Sequence, residues 1–209
     1  VAEFKPVSIE KTTRGTWLCD FGQGVGGVCR VTLDGPAGRR IKLHHAMALN
    51  PDGTLYTRSL WGAARSGDVY TLSGKGPQTF EAPFTFHGFR YVEITGMESA
   101  RELEDIAAVM IADNWPLIAK LETSDARLNK LWRATRMTLQ SCLKSAMADV
   151  ADRDERGGWF GDCGTVGVQS MAYVFDTAAY FRKRCLDLVD DQANSAEGYF
   201  PAKSPEMAG

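Results

Sequence analysis

The sequence predicts an α+β multidomain chain, an antiparallel β-sandwich followed by α-helices, and two observations lead to this prediction. Before about residue 112, short runs rich in β-branched and aromatic residues are separated by turns that contain Gly and Pro. After Ser124 the apolar residues recur at helical spacing instead. We therefore predict one domain at residues 1–115 and a second at residues 116–209, with the change at Trp115 and Pro116.

The first half contains five predicted strands. They are bounded by segments such as NPDG at 50–53 and SGKGPQ at 73–78, in which Pro and Gly are placed as tight turns require. Regular turns between short strands favour an antiparallel sandwich. The five runs are GVCRVTL, RIKLHHAMAL, DVYTLSG, FRYVEITG and IAAVMIA.

The second half predicts three helices. Ser124 is a candidate N-cap for the first, at about 125–145, where Leu128, Leu131 and Leu139 fall on one face. Two further helices follow in TVGVQSMAYVF and TAAYFRKRCLDLVDDQ, separated near Asp176. The mostly apolar faces of these helices need partners, so we expect this chain to be a piece of a larger protein.

An acidic segment, DVADRDERGGWFGD at 149–162, lies between the first two predicted helices. A glycosidase needs one protonated carboxyl group for the leaving oxygen and further carboxylates for hydroxyls or water. Neighbouring acids raise one another's pKa, and an indole offers an apolar face to a sugar ring. The residue types alone leave a second interpretation open, a solvated loop in which Arg153 and Arg156 pair with nearby acids.

The order of residues in this segment resembles the signature of the bacterial and fungal α-L-rhamnosidases, glycoside hydrolases whose catalytic domain is a barrel of paired α-helices. That signature reads Asp, three variable residues, Arg-Asp-Glu-Arg, a variable residue, Gly-Trp, a variable residue and Gly-Asp. Where the family usually has Cys-Pro after the first Asp, this chain has Val150 and Ala151. The matching positions are Asp149, Arg153, Asp154, Glu155, Arg156, Gly158, Trp159, Gly161 and Asp162.

The resemblance implies a role for each of these positions. Glu155 corresponds to the general acid, and Asp149, Trp159 and Asp162 fall on positions that contact the rhamnose ring. Arg153 and Asp154 complete the predicted substrate-binding set. The resemblance also implies the first helices of an (α/α)6 barrel and an inverting mechanism, whose general base matches no residue of this chain.

Three segments of the first half resemble the β-sandwich domain that precedes the barrel in these enzymes. They are DFGQGVGG at 20–27, HHAMALNPDGTLY at 44–56 and FTFHGFRYVEITG at 84–96. The family commonly has Asn at the position of Gly24 and Glu at that of Met47, so a polar role is lost at both positions. No catalytic role is predicted for this half.

Two functions are compatible with these features. The first is an α-L-rhamnosidase that releases terminal α-L-rhamnosyl residues; the second is a non-catalytic protein that binds a rhamnoside, since no general base is identified. Either function implies an L-rhamnose-containing glycoside or oligosaccharide as partner. The sequence leaves the aglycone and the oligomeric state open. The compartment is open as well, since the chain begins at Val1 and shows no targeting segment.

Composition excludes several other classes. A net charge of −2 and a pI near 6.0 argue against nucleic-acid binding. The longest basic run is RKR at 182–184, which we interpret as a solvated helix face. No apolar run reaches the roughly 18–20 residues that span a membrane. GQGVGG at 22–27 fits a dinucleotide fingerprint, but a strand follows it rather than a helix, so the glycines indicate a turn or bulge and no cofactor is predicted.

No metal site is predicted either. The five cysteines show no CxxC spacing and are interpreted as free thiols. His44 and His45 are adjacent on a predicted strand and therefore point to opposite faces, while His87 lies in FHGF, which resembles a turn. These positions lack the spacing of a metal-binding motif.

Overall fold

The structure is a computed structural model and describes residues 2–60, 66–153 and 157–205. The chain divides into two compact units, the first formed by most of the residues up to Ile111 and the second by most of those after it. The domain boundary after residue 115 stays a prediction.

The described part of the first unit forms one curled antiparallel sheet. Its strands are β1 (Ala2–Phe4), β2 (Ser8–Lys11), β3 (Trp17–Leu33), β4 (Arg40–Ala46), β5 (Gly67–Thr71), β6 (Gln78–Glu81), β7 (His87–Thr95) and β8 (Leu103–Met110). Their order is β1-β8-β3-β7-β4-β5, and β2 and β6 also pair with β3. The predicted antiparallel β architecture is confirmed in this form.

The long strand β3 organises the sheet, because it pairs with four other strands. Its pairing with β7 shifts register between Asp20 and Val25, so the glycine-rich segment interrupts the regular ladder where a turn or bulge was predicted. Strand β3 then continues to Leu33, which leaves no helix N-terminus for a dinucleotide phosphate. At Gly27 a Cβ would lie 1.9 Å from the Val109 carbonyl oxygen, so β3 and β8 approach closely there.

Strand β4 illustrates how alternation builds the core. Ile41, Leu43 and His45 point inward and are fully or almost fully buried, whereas Arg40 and Lys42 are exposed. Burying a side chain such as Ile or Leu stabilises the fold by about 1.5–3 kcal/mol. Since His45 is the third inward position after two aliphatic residues, it lies in the core.

The five predicted strands correspond to parts of β3, β4, β5, β7 and β8. Strands β1, β2 and β6 were not predicted, because they are only three or four residues long, and β2 and β6 are also largely polar. One local prediction was wrong: His87 is the first residue of β7 rather than part of a turn. The predicted opposite faces of His44 and His45 are confirmed, since His45 is buried and His44 is half-buried.

The second unit is helical. Its elements are α1 (Ala126–Cys142), α2 (Phe160–Asp162), a π-helical turn (Cys163–Gly167), α3 (Val168–Val174) and α4 (Ala178–Asn194). The N-cap of α1 is Asp125 rather than Ser124, because the Asp125 side chain accepts the hydrogen bond from the Arg127 backbone N–H. Thr177 is the N-cap of α4 without a side-chain cap bond.

The core of this unit lies between the end of α1 and the later helices. It is formed by Leu143, Met147, Cys163, Met171 and Tyr180. No disulfide joins the cysteines, all of which lie in the described part of the chain. None of the described helices combines the length and the apolarity that crossing a bilayer demands.

We expect the 209-residue chain to self-associate, because apolar side chains of two helices remain exposed. Leu128 and Leu131 on α1 are 48% and 62% exposed, and Leu186 and Val189 on α4 are both 58% exposed. Light scattering coupled to size-exclusion chromatography measures the mass. Leu131→Lys should shift the chain toward monomer, whereas Arg133→Glu, on the opposite face of α1, should not; a monodisperse monomer of the unchanged chain would contradict this expectation.

Candidate active site

The acidic segment lies in the loop between α1 and α2 and in α2 itself. Asp149, Arg153 and Trp159 are among the described residues, and all three are half-buried. Asp154 and Glu155 lie outside the described residues, as does the side chain of Asp162. The structure therefore gives geometry for two flanks of the segment, at Asp149 and around Trp159.

Asp149 follows α1 after one short turn, in which Leu143 and Met147 form an isolated β-bridge. One carboxylate oxygen of Asp149 accepts a hydrogen bond from the Val150 backbone N–H at 2.8 Å. The Cys142 thiol, at the end of α1, donates to the Asp149 carbonyl oxygen at 3.9 Å. These contacts hold Asp149 at the rim of a cavity of about 220 Å³, whose other walls are mostly apolar.

Trp159 is held on the other flank by pairing with the segment around Lys203. The Phe160 N–H donates to the Ala202 carbonyl at 2.9 Å, and Trp159 and Lys203 form an isolated β-bridge. The Lys203 ammonium lies 4.4 Å from the centre of the Trp159 ring, a cation–π contact. The indole Nε1 is buried and has no hydrogen-bond partner among the described residues.

A second cavity, of about 290 Å³, begins at the Trp159 indole. Phe181 and Arg184 of α4 lie on its wall. Met147 and Cys163 line both cavities, so Asp149 and Trp159 face adjoining spaces within one unit. An apolar wall with a carboxylate at one end and an indole at the other suits a ligand with one polar and one apolar face.

Arg184 and Lys203 were not predicted as site residues. The interpretation of residues 182–184 as a solvated face is wrong for Arg184, which is 9% exposed and bonds Asp187 at 3.2 Å. The signal was the spacing, because Arg184 lies four residues from both Tyr180 and Leu188 on α4. Lys203 had no local signal, since its contact with Trp159 spans 44 residues.

Burial favours the protonated form of two groups in this unit. Burial raises the pKa of Asp113, with the charges of Lys144 and Lys183 opposing the shift. Burial also raises the pKa of the Tyr180 hydroxyl, which therefore stays protonated. The unit can thus hold a carboxyl group partly removed from water, which is the condition for a general acid.

Comparison with known proteins identifies the family of both halves. The model of the bacterial alpha-L-rhamnosidase concanavalin-like domain matches residues 10–112. The model of the bacterial alpha-L-rhamnosidase 6 hairpin glycosidase domain matches residues 116–209. An alpha-L-rhamnosidase of Streptomyces avermitilis is 38% identical over 193 residues, which are 92% of this chain and 18% of that protein.

Solved structures agree with this comparison. The Streptomyces avermitilis alpha-L-rhamnosidase complexed with L-rhamnose has a TM-score of 0.91 at 34% identity, over 100% of this chain and 20% of that one. The native enzyme from Aspergillus terreus has a TM-score of 0.90 at 30% identity, over 100% of this chain and 24% of that one. This chain therefore spans about a fifth of the length of these relatives.

The matches also confirm the predicted fold class, a β-sandwich followed by the first helices of a barrel of paired helices. Both family models describe the same kind of protein, and together they account for residues 10–112 and 116–209. The chain belongs to the bacterial alpha-L-rhamnosidase family.

Proposed function

We propose that this chain supplies the general acid and the sugar contacts of an inverting α-L-rhamnosidase, which releases terminal α-L-rhamnosyl residues from glycosides. One observation carries the proposal: the signature segment lies within residues 116–209, which the glycosidase-domain model matches, and its Asp149 and Trp159 line adjoining cavities. The Streptomyces avermitilis relative, solved in complex with L-rhamnose, supports the choice of sugar.

Glu155 is the residue that we assign as general acid. It protonates the glycosidic oxygen as the bond to the sugar breaks, so that the aglycone leaves as a neutral alcohol. Asp149 and Asp162 accept hydrogen bonds from ring hydroxyls, and their negative charge favours the protonated form of Glu155. Arg153 and Asp154 supply further polar contacts to the sugar.

Trp159 is the apolar contact in this proposal. The C–H face of a rhamnose ring packs on an indole, and the methyl group adds apolar area to that contact. Since the Lys203 ammonium already lies over the indole, the sugar either uses the opposite ring face or displaces Lys203. The long stem of lysine allows such a displacement at little cost.

Inversion requires a second carboxylate that activates water from the opposite side of the sugar, about 6.5–9.5 Å from the acid. We assign no residue of this chain to that role, because none matches the family's base. In the proposed arrangement residues 1–115 form the sandwich and residues 116–209 the beginning of the barrel.

The experiment follows the stereochemistry of the product by proton NMR. The protein is expressed from the longest natural reading frame that contains these residues and is mixed with an aryl α-L-rhamnoside. We expect β-L-rhamnose to form first and to mutarotate afterwards. Initial α-L-rhamnose would contradict inversion, whereas saturable rhamnoside binding without hydrolysis would favour the non-catalytic binding protein; L-fucose, a stereoisomer of rhamnose, is the control for specific binding.

A further inference from the structure

Three chemically active side chains meet in the sheet unit, far in sequence from the acidic segment. His45 lies on β4, Asp68 on β5 and His87 on β7, and these three strands are neighbours in the sheet. The side chains are 0%, 12% and 6% exposed, in that order. One ligand atom from each lies within 4.8 Å of the others.

The hydrogen bonds fix the tautomer of His45. Its Nδ1 lies 3.0 Å from the Ser66 carbonyl oxygen, which only accepts, so Nδ1 carries the proton and Nε2 carries a lone pair. The Ser66 hydroxyl also donates to the His45 carbonyl oxygen at 2.9 Å, so two hydrogen bonds join Ser66 and His45. The lone pair of His45 therefore points away from Ser66.

That lone pair faces a second acceptor. His45 Nε2 lies 3.9 Å from Asp68 Oδ2, and both atoms are buried without a hydrogen-bond partner among the described residues. The other oxygen, Asp68 Oδ1, accepts from His87 Nε2 at 3.1 Å. Two facing acceptors with no donor between them are costly in a buried site, and a cation between them satisfies both.

A proton does not bridge these two atoms, because 3.9 Å is longer than a hydrogen bond. A neutral imidazole and an ionised carboxylate are the forms that bind metal ions.

We propose that His45, Asp68 and His87 bind a divalent transition-metal ion of the zinc class. Two imidazole nitrogens and one carboxylate oxygen suit zinc, whereas calcium and magnesium prefer sites made of oxygen alone. Three protein ligands leave the fourth position to water. To ligate through Nε2, His87 must give up the hydrogen bond from that nitrogen to Asp68 and carry its proton on Nδ1 instead, an atom that is buried and has no partner in the described part of the chain.

Metal binding requires a defined change of geometry. The His45 and His87 rings are stacked, with centres 4.2 Å apart and planes at 10°. Because a metal lies in the plane of each imidazole that binds it, both rings must rotate until their lone pairs converge. The ligand atoms must also draw together to about 3.4 Å, the spacing set by tetrahedral bonds of roughly 2.0–2.2 Å.

The test measures zinc and cobalt binding to the full chain with its accessible thiols blocked. We expect one ion per chain, a higher unfolding temperature with zinc, and no such rise with magnesium or calcium. Asp68→Asn and His87→Gln each remove a proposed ligand and should raise the zinc Kd by at least about 100-fold, since residues that only orient the ligands already contribute about 10–100-fold. His44→Gln is the matched control, since it removes the third of the three histidines, on the other face of β4.

X-ray absorption at the zinc edge of the unchanged chain identifies the ligands even where a variant fails to fold. Two imidazoles with oxygen ligands and no sulfur are the expected result. A sulfur shell, no stoichiometric binding, or a zinc affinity in both folded variants equal to that of the unchanged chain would overturn the proposal. The site lies in the sheet unit, so the outcome does not depend on the role of Glu155.

Discussion

Glu155→Gln is expected to lower the rate of hydrolysis of an unactivated rhamnoside by about 10²–10⁴-fold, the usual contribution of a general acid. Glutamine keeps the shape of the side chain but has no acidic proton for the leaving oxygen. The variant is measured in the protein expressed from the longest natural reading frame that contains these residues. Initial rates on a flavonoid or alkyl rhamnoside give the effect.

Three controls separate loss of the acid from loss of the fold. A substrate with a nitrophenolate leaving group needs little protonation, so its hydrolysis should fall much less in Glu155→Gln. Affinity for L-rhamnose should stay nearly unchanged, because the ring contacts remain. Glu122→Gln, at an exposed position outside the signature, should keep full activity. Full activity of Glu155→Gln on the unactivated substrate would reject the assignment.

Much of the fold is predictable because its signals are local. Strand β4 follows strict alternation, with Ile41 and Leu43 inward and Lys42 outward, and α1 follows a helical repeat over 17 residues. Strands β1, β2 and β6 carry no such signal, since runs of three or four residues are too short to show an alternation and fit a loop equally well. Their strand geometry is supplied by neighbours, above all by β3.

The candidate site likewise has features that local sequence patterns predict and contacts that they do not. The signature segment could be found from sequence because its residues lie within 14 consecutive positions. The contact between Lys203 and Trp159, and the meeting of His45 with Asp68 and His87, each join positions far apart in the chain. His45 could have been placed inward from the alternation of β4, but its partners depend on strand order, which local patterns do not determine.

Gly158 and Gly161 of the signature differ in how much room their surroundings leave for a side chain. At Gly158, a Cβ would lie 2.1 Å from the Ser204 carbonyl oxygen, and the Gly158 carbonyl accepts a hydrogen bond from the Ser204 N–H at 3.0 Å. At Gly161, a Cβ would meet nothing within 4 Å. The first glycine is required by close backbone approach, whereas the second has room for a side chain.

Gly158→Ala is therefore expected to destabilise the chain by about 1–3 kcal/mol, the usual cost of overpacking. The clashing atom belongs to the backbone, so the segment around Ser204 must move, and Lys203 moves with it away from Trp159. Gly161→Ala should change stability by less than about 1 kcal/mol, and in the stabilising direction, since Ala is favoured over Gly in a helix.

Urea unfolding of both variants measures the difference in their free energies of unfolding, provided that the m-values are the same. Affinity for L-rhamnose should fall in Gly158→Ala and stay unchanged in Gly161→Ala, because only the first substitution displaces the segment that holds Trp159. Equal effects of the two substitutions on stability, with unchanged affinity for L-rhamnose in both, would show that the close approach of Gly158 and Ser204 does not hold in solution. Equal stability with weaker sugar binding in Gly158→Ala would show instead that the segment yields to the added methyl group and moves Trp159 with it.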